Sequence, residues 1–256
     1  MRVIELSGQP GDAEQAPSTP DAIGIVTADG TVTPADDPGE HRFASRLRDT
    51  LAARHASQAA HQEDVRLADA QAMRSARKAG GKQAVIFLGS LLGDDWMMVR
   101  GYQTSSGGIG QVLIGNHGVV AMTSLHLDAT VHCHGDKWRA EKFDHRTGSC
   151  IGEIHLVDQT GRSPSAQLNH AADALEQFLR SSGIQIGVLR VVLLNHPRSR
   201  LEGRRSPTVQ IFSSPYDLGR WLQELPKILD RAGRRQIERL ITGVTGVTGH
   251  EHRPPE

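Results

Sequence analysis

Two short apolar runs joined by a four-residue turn constrain the fold of this chain more than any other feature. Ile109–Ile114 and Val119–Met122 contain many β-branched side chains, and Gly115-Asn116-His117-Gly118 between them suits a hairpin loop. A second hairpin signal, Gly135-Asp136, follows shortly afterwards. The stretch 109–138 therefore predicts a strand, a tight turn, a second strand and then a further hairpin.

The rest of the chain alternates helical and extended patterns. Ser163-Pro164 is a helix start, with serine as the N-cap and proline at the first helical position, and the helix ends near Gly183. Val188–Leu194 is almost continuously apolar, as in a strand buried on both faces. Other predicted elements are a helix in 84–92, strands at 96–103 and 208–212, and helices at 216–229 and 231–241. This order predicts an α/β (α+β) fold with a mixed β-sheet flanked by helices.

The predicted domain organisation has four parts. Residues 1–40 hold eight acids and one base and are poor in large apolar groups, so we expect a mostly disordered segment, apart from a hairpin signal at Ala22–Val32. Residues 41–79 read as an alanine-rich helical arm, with Phe43, Leu47 and Leu51 on one face, and Gly80-Gly81 opens the next segment. Residues 80–229 form the core domain, and 230–256 a basic helix and a disordered tail. We expect this face of the arm to pack either against another chain, which would give a homo-oligomer, or back onto the core, and deletion of 1–79 should leave a folded core.

Charge, hydropathy and cysteine content indicate where the protein is located more clearly than what it does. Lysine plus arginine equals aspartate plus glutamate at 29 each, yet 190–240 holds eleven bases and five acids, which favours a polyanionic partner. The alternative is an ordinary solvated surface. Neither a membrane span nor a secretory signal is predicted, and the two cysteines, Cys133 and Cys150, give no reason to expect a disulfide. The expected location is the cytoplasm.

A little over half of the chain resembles the nuclease-related domain family, abbreviated NERD, within the restriction-endonuclease-like superfamily. The resemblance rests on AGGKQAVIFLGSLLGDDWMMVRGYQ, on IGQVLIGNHGVVAM, on the hairpin ending in GDKW, and on SPSAQLNHAADALEQFL followed by VLRVVLLNHP. It implies a restriction-endonuclease-like core with a metal site for phosphodiester cleavage.

The residues that such a metal site needs are replaced here. The family has Gly-Glu in its first core helix, where this chain has Gly81-Lys82. In the first matching strand the family has aspartate, usually followed by histidine. In the second matching strand it has an acid, then any residue, then lysine. This chain has Gly110-Gln111 in the first strand and Thr123-Ser124-Leu125 in the second, although the glutamine of the helix after the hairpin is retained as Gln167. The resemblance therefore implies a domain without cleavage and without a cofactor.

A relocated metal site is the enzyme alternative. On a regular strand running on from Leu125, side chains alternate, so Asp128, His132 and His134 would share one face. Imidazole and carboxylate groups bind Zn²⁺ or Mn²⁺, and a metal-dependent DNA endonuclease using Mg²⁺, Mn²⁺ or Zn²⁺ would follow. The alternative is that these polar side chains simply form the solvent-exposed face of a strand, which shows the same alternation of polar and apolar residues.

The basic loop 196–205 is the predicted nucleic-acid contact. It follows the buried strand 188–194, and Arg198, Arg200, Arg204 and Arg205 could bind phosphates without reading base sequence. The leading hypothesis is thus a non-catalytic nuclease-related domain that binds DNA or scaffolds a DNA-processing complex. The alternatives are the relocated-metal nuclease, and a protein-interaction module that does not contact nucleic acid.

Overall fold

The apolar runs of the sequence form the inner strands of a six-stranded sheet. The structure, a computed structural model, describes residues 1–6, 38–144 and 146–243. The strands are β1 Arg2–Glu5, β2 Trp96–Thr104, β3 Gly107–Gly115, β4 Gly118–Leu125, β5 Thr130–His134, β6 Lys137–Phe143, β7 Cys150–His155, β8 Val188–Leu194, β9 Arg200–Arg205 and β10 Gln210–Phe212. The helices are α1 Pro38–Leu91, α2 Pro164–Ser181, α3 Pro215–Glu224 and α4 Arg231–Gly243.

The described strands form two mixed sheets. The larger has the order β1-β2-β3-β4-β8-β10, with β2, β3 and β4 antiparallel and with β1, β8 and β10 joined by parallel pairing. The smaller has the order β7-β6-β5-β9, in which only β9 pairs in parallel. The α+β class and the mixed sheet flanked by helices are therefore confirmed.

Both faces of the larger sheet are buried, as the continuous apolar runs predict. Along β4 and β8, alternate residues belong to two separate apolar clusters: Val120 and Leu193 pack with the C-terminal part of α1 and with α3, while Val119 and Val192 pack with α2 and α4. The smaller sheet contributes Val131 and other apolar residues to the second of these clusters.

Helix α1 does not break at Gly80-Gly81 but runs through both glycines. A Cβ added to Gly80 would lie 2.3 Å from the carbonyl oxygen of Ser124, so this glycine lets the helix approach the end of β4. Asn195 Nδ2 also donates to the Gly80 carbonyl at 2.8 Å. The helix is therefore continuous through the glycine pair, and Gly80 is a packing contact.

The packed part of α1 begins well before residue 80. Asp69, Met73 and Ala76 are buried, and Asp69 accepts a hydrogen bond from the backbone N–H of His155 at 3.2 Å. Residues 50–68 are exposed, including Leu51 at 45%. Deletion of 1–79 would therefore remove part of the core, and whether the remainder folds stays a prediction.

Local signals located the starts of the remaining helices, although α3 ends at Glu224 and not at residue 229. Ser163 caps α2 by accepting from the Ala166 N–H at 3.2 Å, and Ser214 caps α3 in the same way. The parallel pairing of β1 with β2 was not predicted from the N-terminal sequence. The hairpin signal at 22–32, most of the acidic segment and the tail beyond 243 lie outside the described residues. None of the described helices is both long and apolar enough to cross a membrane.

Candidate functional site

Half of the positions matched to the family's metal site lie around one cleft. Gly110 and Gln111 on β3 face Thr123 on β4, and with Arg77 of α1 they line a cleft of about 210 Å³. Its other lining residues are Gly101, Gln103, Gly108, Ile109 and Ser124, so none of its described lining residues is acidic. Hard oxygen ligands for Mg²⁺, usually carboxylates, are thus missing where the resemblance would put them.

The other three matched positions do not line this cleft. Lys82 is exposed on α1, and Leu125 is completely buried at the end of β4. Gln167, the retained glutamine, donates to the carbonyl of Arg162 at 2.6 Å at the start of α2.

Within the cleft, the side-chain amide of Gln111 keeps hydrogen-bond donors that are available to a ligand. Ser124 Oγ donates to Gln111 Oε1 at 3.2 Å, and both residues are buried, so the Gln111 amide N–H groups remain for another partner. Arg77 has a pKa lowered by burial, an effect that nearby Asp158 partly opposes. An arginine nevertheless stays protonated at physiological pH.

The structure separates the three residues of the relocated metal site. The chain leaves the sheet after Leu125, so Asp128 lies in the connection to β5 and does not share a strand face with His132 and His134. Asp128 forms an ion pair with Arg198. His132 Nε2 lies 3.4 Å from Glu141 Oε1. The described residues contain no group of three or more histidine, cysteine or acidic side chains placed to hold a metal ion.

A pair of histidines lies instead at the carboxyl ends of the parallel strands β4 and β8. The rings of His126 and His196 meet edge to face with centroids 4.6 Å apart. His126 Nδ1 lies 3.3 Å from Asn195 Oδ1, and Asn195 donates its own amide to Gly80, so His126 Nδ1 is the donor. This orientation leaves Nε2 of a neutral His126 as an acceptor, beside a cavity of about 1020 Å³.

The predicted basic loop is largely a strand, and its arginines lie on different faces. Residues 200–205 form β9, paired with β5 in parallel. Arg200 is paired with Thr130 and lines a cavity with Asp128 and Arg198. A bulge at Gly203, whose φ is +62°, then shifts the register.

Arg204 and Arg205 follow this bulge and diverge. Arg204 pairs with buried Cys133 and lines a separate cavity beside β8. Arg205 pairs with exposed His134 on the opposite face of the sheet. The four arginines therefore do not form a single patch.

The bulge creates a basic row that the sequence did not reveal. His134 on β5 is opposite Lys137 on β6 and opposite Arg205 on β9, and all three are exposed. Neighbouring strands are about 4.8 Å apart, so the row spans roughly 10 Å. Lys137 and Arg205 form no ion pair within the described part of the chain.

Some of these residues had a signal in the sequence and others had none. Arg77 lies one turn after Met73 and so falls on the apolar stripe of α1, where an arginine is unexpected. The Lys137–His134–Arg205 row depends on the pairing of three strands and on a bulge, which local sequence does not encode. No family model, curated protein or solved structure matches this chain.

Proposed function

We propose that this chain is a nuclease-related domain of restriction-endonuclease-like fold that does not cleave nucleic acid and binds its phosphate backbone. The observation that carries the binding proposal is the exposed row of Lys137, His134 and Arg205 across three strands. The absence of acids from the cleft beside β3 and β4 supports the loss of metal-dependent cleavage.

The order of the elements is compatible with the family resemblance. Along the chain, Lys82 lies on α1, Gly110 on β3, Thr123 on β4 and Gln167 on α2, which is the order that the resemblance requires. The strand after that helix, β8, then pairs in parallel with β4.

The charge pattern of the smaller sheet favours a limited, sequence-independent contact. Away from the basic row, Arg139 lies 3.4 Å from Glu141 and 3.5 Å from Glu153, so its charge is partly neutralised. Two lysine or arginine charges in the row would neutralise about two phosphates and release their counterions. We therefore expect weak binding with a strong salt dependence and little preference for base sequence.

Salt-dependent binding of a fluorescent duplex and of a single strand tests this interaction. The double variant Lys137→Gln/Arg205→Gln should lower affinity for unrelated sequences, and should reduce the log–log salt slope by roughly 0.7–0.9 for each phosphate that is no longer neutralised. The control is Arg204→Gln, which removes one arginine charge from the position of β9 next to Arg205 but on the other face, and it is compared with the single variant Arg205→Gln as well as with the double variant. Equal salt slopes in the wild type and the double variant would reject the row as the binding surface.

Plasmid nicking with Mg²⁺, Mn²⁺ or EDTA tests the loss of cleavage. We expect no metal-dependent nicking, because the cleft offers a divalent ion no carboxylate. Nicking that EDTA abolishes and that Asp128→Ala removes would favour the relocated-metal alternative. EDTA-sensitive nicking that survives Asp128→Ala would reject both the loss of cleavage and the relocated metal site.

The protein-interaction alternative depends on the arm. Leu51 is 45% exposed and Val65 is 44% exposed on α1. If the full chain retains no nucleic acid at low salt but forms a dimer that Leu51→Glu dissociates, the interaction module replaces the present proposal.

A further inference from the structure

Arg77 is the most unusual polar group in the cleft beside β3 and β4. Its Nε is shielded from solvent and has no hydrogen-bond partner among the described residues. Within the same part of the chain, its guanidinium also forms no ion pair. A buried donor without an acceptor is costly, so native proteins satisfy such groups with protein, water or a ligand.

Nearby acidic residues do not supply that acceptor. Asp158 is close enough to influence Arg77 electrostatically, but its Oδ1 already accepts from the backbone N–H groups of Thr160 and Arg162 at 2.8 and 2.9 Å. Its Oδ2 lies 3.6 Å from Arg162 Nε. Asp158 is therefore committed to its own turn.

The cleft around Arg77 is lined by donors from several elements. Gln103 and Gln111 carry amide N–H groups and Thr123 a hydroxyl, and Ser124 occupies the acceptor oxygen of Gln111. Gly101, Gly108 and Gly110 contribute no side chains to the lining. The volume of about 210 Å³ corresponds to roughly seven liquid waters at ~30 Å³ each, which accommodates a small anion.

We propose that this cleft is a binding site for a tetrahedral oxyanion of the phosphate type, with Arg77 as its central ligand. An arginine presents a planar set of N–H donors that matches phosphate oxygens, and the amide and hydroxyl donors come from the three strands β2, β3 and β4. Replacement of acids by glycine and threonine, beside a cationic side chain, makes the cleft suited to an anion and not to a cation. The inference rests on the geometry of the cleft and does not require the row at Lys137 to bind nucleic acid.

Thermal unfolding of the full chain with inorganic phosphate tests the site, with sodium chloride at matched ionic strength as reference. Phosphate should raise the unfolding temperature saturably, because a ligand that binds only the folded state stabilises it. Arg77→Gln should weaken phosphate binding by at least about tenfold, since the charge-assisted hydrogen bonds from the guanidinium are removed. Arg74→Gln, an exposed position one turn away on the same helix, should bind phosphate as the wild type does.

A second variant covers the case in which Arg77→Gln does not fold. Gly110→Asp puts a carboxylate into the cleft, and a Cβ there lies 3.4 Å from the nearest atom, the Met122 carbonyl oxygen, so the backbone tolerates it. This variant should also lose the phosphate effect. Equal phosphate binding in Gly110→Asp and Arg74→Gln, or no saturable effect in the wild type, would overturn the proposal.

Two further probes distinguish a free phosphate ion from the terminal phosphate of a larger ligand. A nucleoside 5′-monophosphate that stabilises the protein through Arg77, while the parent nucleoside does not, identifies a terminal phosphate as the ligand. Stabilisation by inorganic phosphate alone identifies the free ion, and stabilisation by the nucleoside alone would overturn the site. The Lys137→Gln/Arg205→Gln variant should keep the phosphate effect, so failure of the nucleic-acid proposal is distinguishable from failure of this one.

Discussion

At the scale of the residue, Cys133 shows how burial decides chemistry. Its side chain is inaccessible to solvent, and Sγ donates to the Gly135 carbonyl at 3.3 Å. Burial, helped by the nearby charge of Asp136 and opposed by Arg204, raises the pKa of the Cys133 thiol to about 11. Cys133 is therefore a protonated core residue at neutral pH and not a reactive thiolate.

This pKa predicts a loss of stability in alkaline solution. The folded chain keeps a proton that the unfolded chain releases above the ordinary thiol pKa of about 9, so the stabilisation is complete below about pH 9 and is lost as pH rises through about 11. The free energy of unfolding, measured with urea from pH 8 to 11, should fall, and should fall less steeply in Cys133→Ser. Because burial also raises the pKa of Tyr102, some slope should remain. Cys150→Ser, at an exposed position, is the control, and an identical slope in Cys133→Ser would contradict the assignment.

At the scale of the element, two glycines of α1 have opposite roles. Gly80 faces the backbone of Ser124, where no methyl group fits. Gly89 is exposed, and an added Cβ would meet only Met1 Cε at an ordinary 3.8 Å. Close packing therefore requires the first glycine, while the second only lowers helix propensity.

Alanine substitutions should separate these roles. Gly80→Ala should destabilise the fold by about 1–3 kcal/mol or more, because the helix must move away from rigid backbone. Gly89→Ala should stabilise it by up to about 1 kcal/mol through helix propensity. Urea midpoints for both variants measure the difference, and a neutral Gly80→Ala would show that α1 does not approach β4 as closely as described.

At the scale of the whole molecule, the core extends beyond residues 80–229. It includes Met73 and Ala76 of α1, Ile237 and Ile241 of α4, and partly buried Ile4 of β1. The helical residues 50–65 are exposed.

Two truncations should distinguish the packed and exposed parts of α1. Removal of residues 1–65 should leave a cooperatively folding protein, weakened by the loss of β1. Removal of 1–79 should cost about 2–5 kcal/mol more, because Met73 is only 1% exposed and its loss leaves a cavity. Unfolding curves of both proteins provide the measurement. Equal stabilities would show that residues 66–79 contribute nothing to the core.

Patterns of adjacent residues predicted much of the fold and less of the site. Short apolar runs located β2, β3 and β4, and Ser163-Pro164 located the start of α2. The assumption of one continuous strand from Leu125 to His134 was wrong, since the chain crosses from one sheet to the other between them. Reading 200–205 as a loop was also wrong, because its pairing with β5 joins residues about 70 positions apart.

The sequence by itself determined the elements whose causes are local: apolar periodicity, helix caps and turn residues specify strands and helices through neighbouring side chains. It also determined which residue types, Gly110 and Thr123 among them, occupy the positions matched to the metal site of the nuclease-related family. Only the tertiary structure decided that Gly80 is a packing contact, that Arg77 faces a cleft of donors, and that His134 joins Lys137 and Arg205 in one row. These outcomes depend on which strands and helices meet, because distant residues come together only when the whole core can be packed around them.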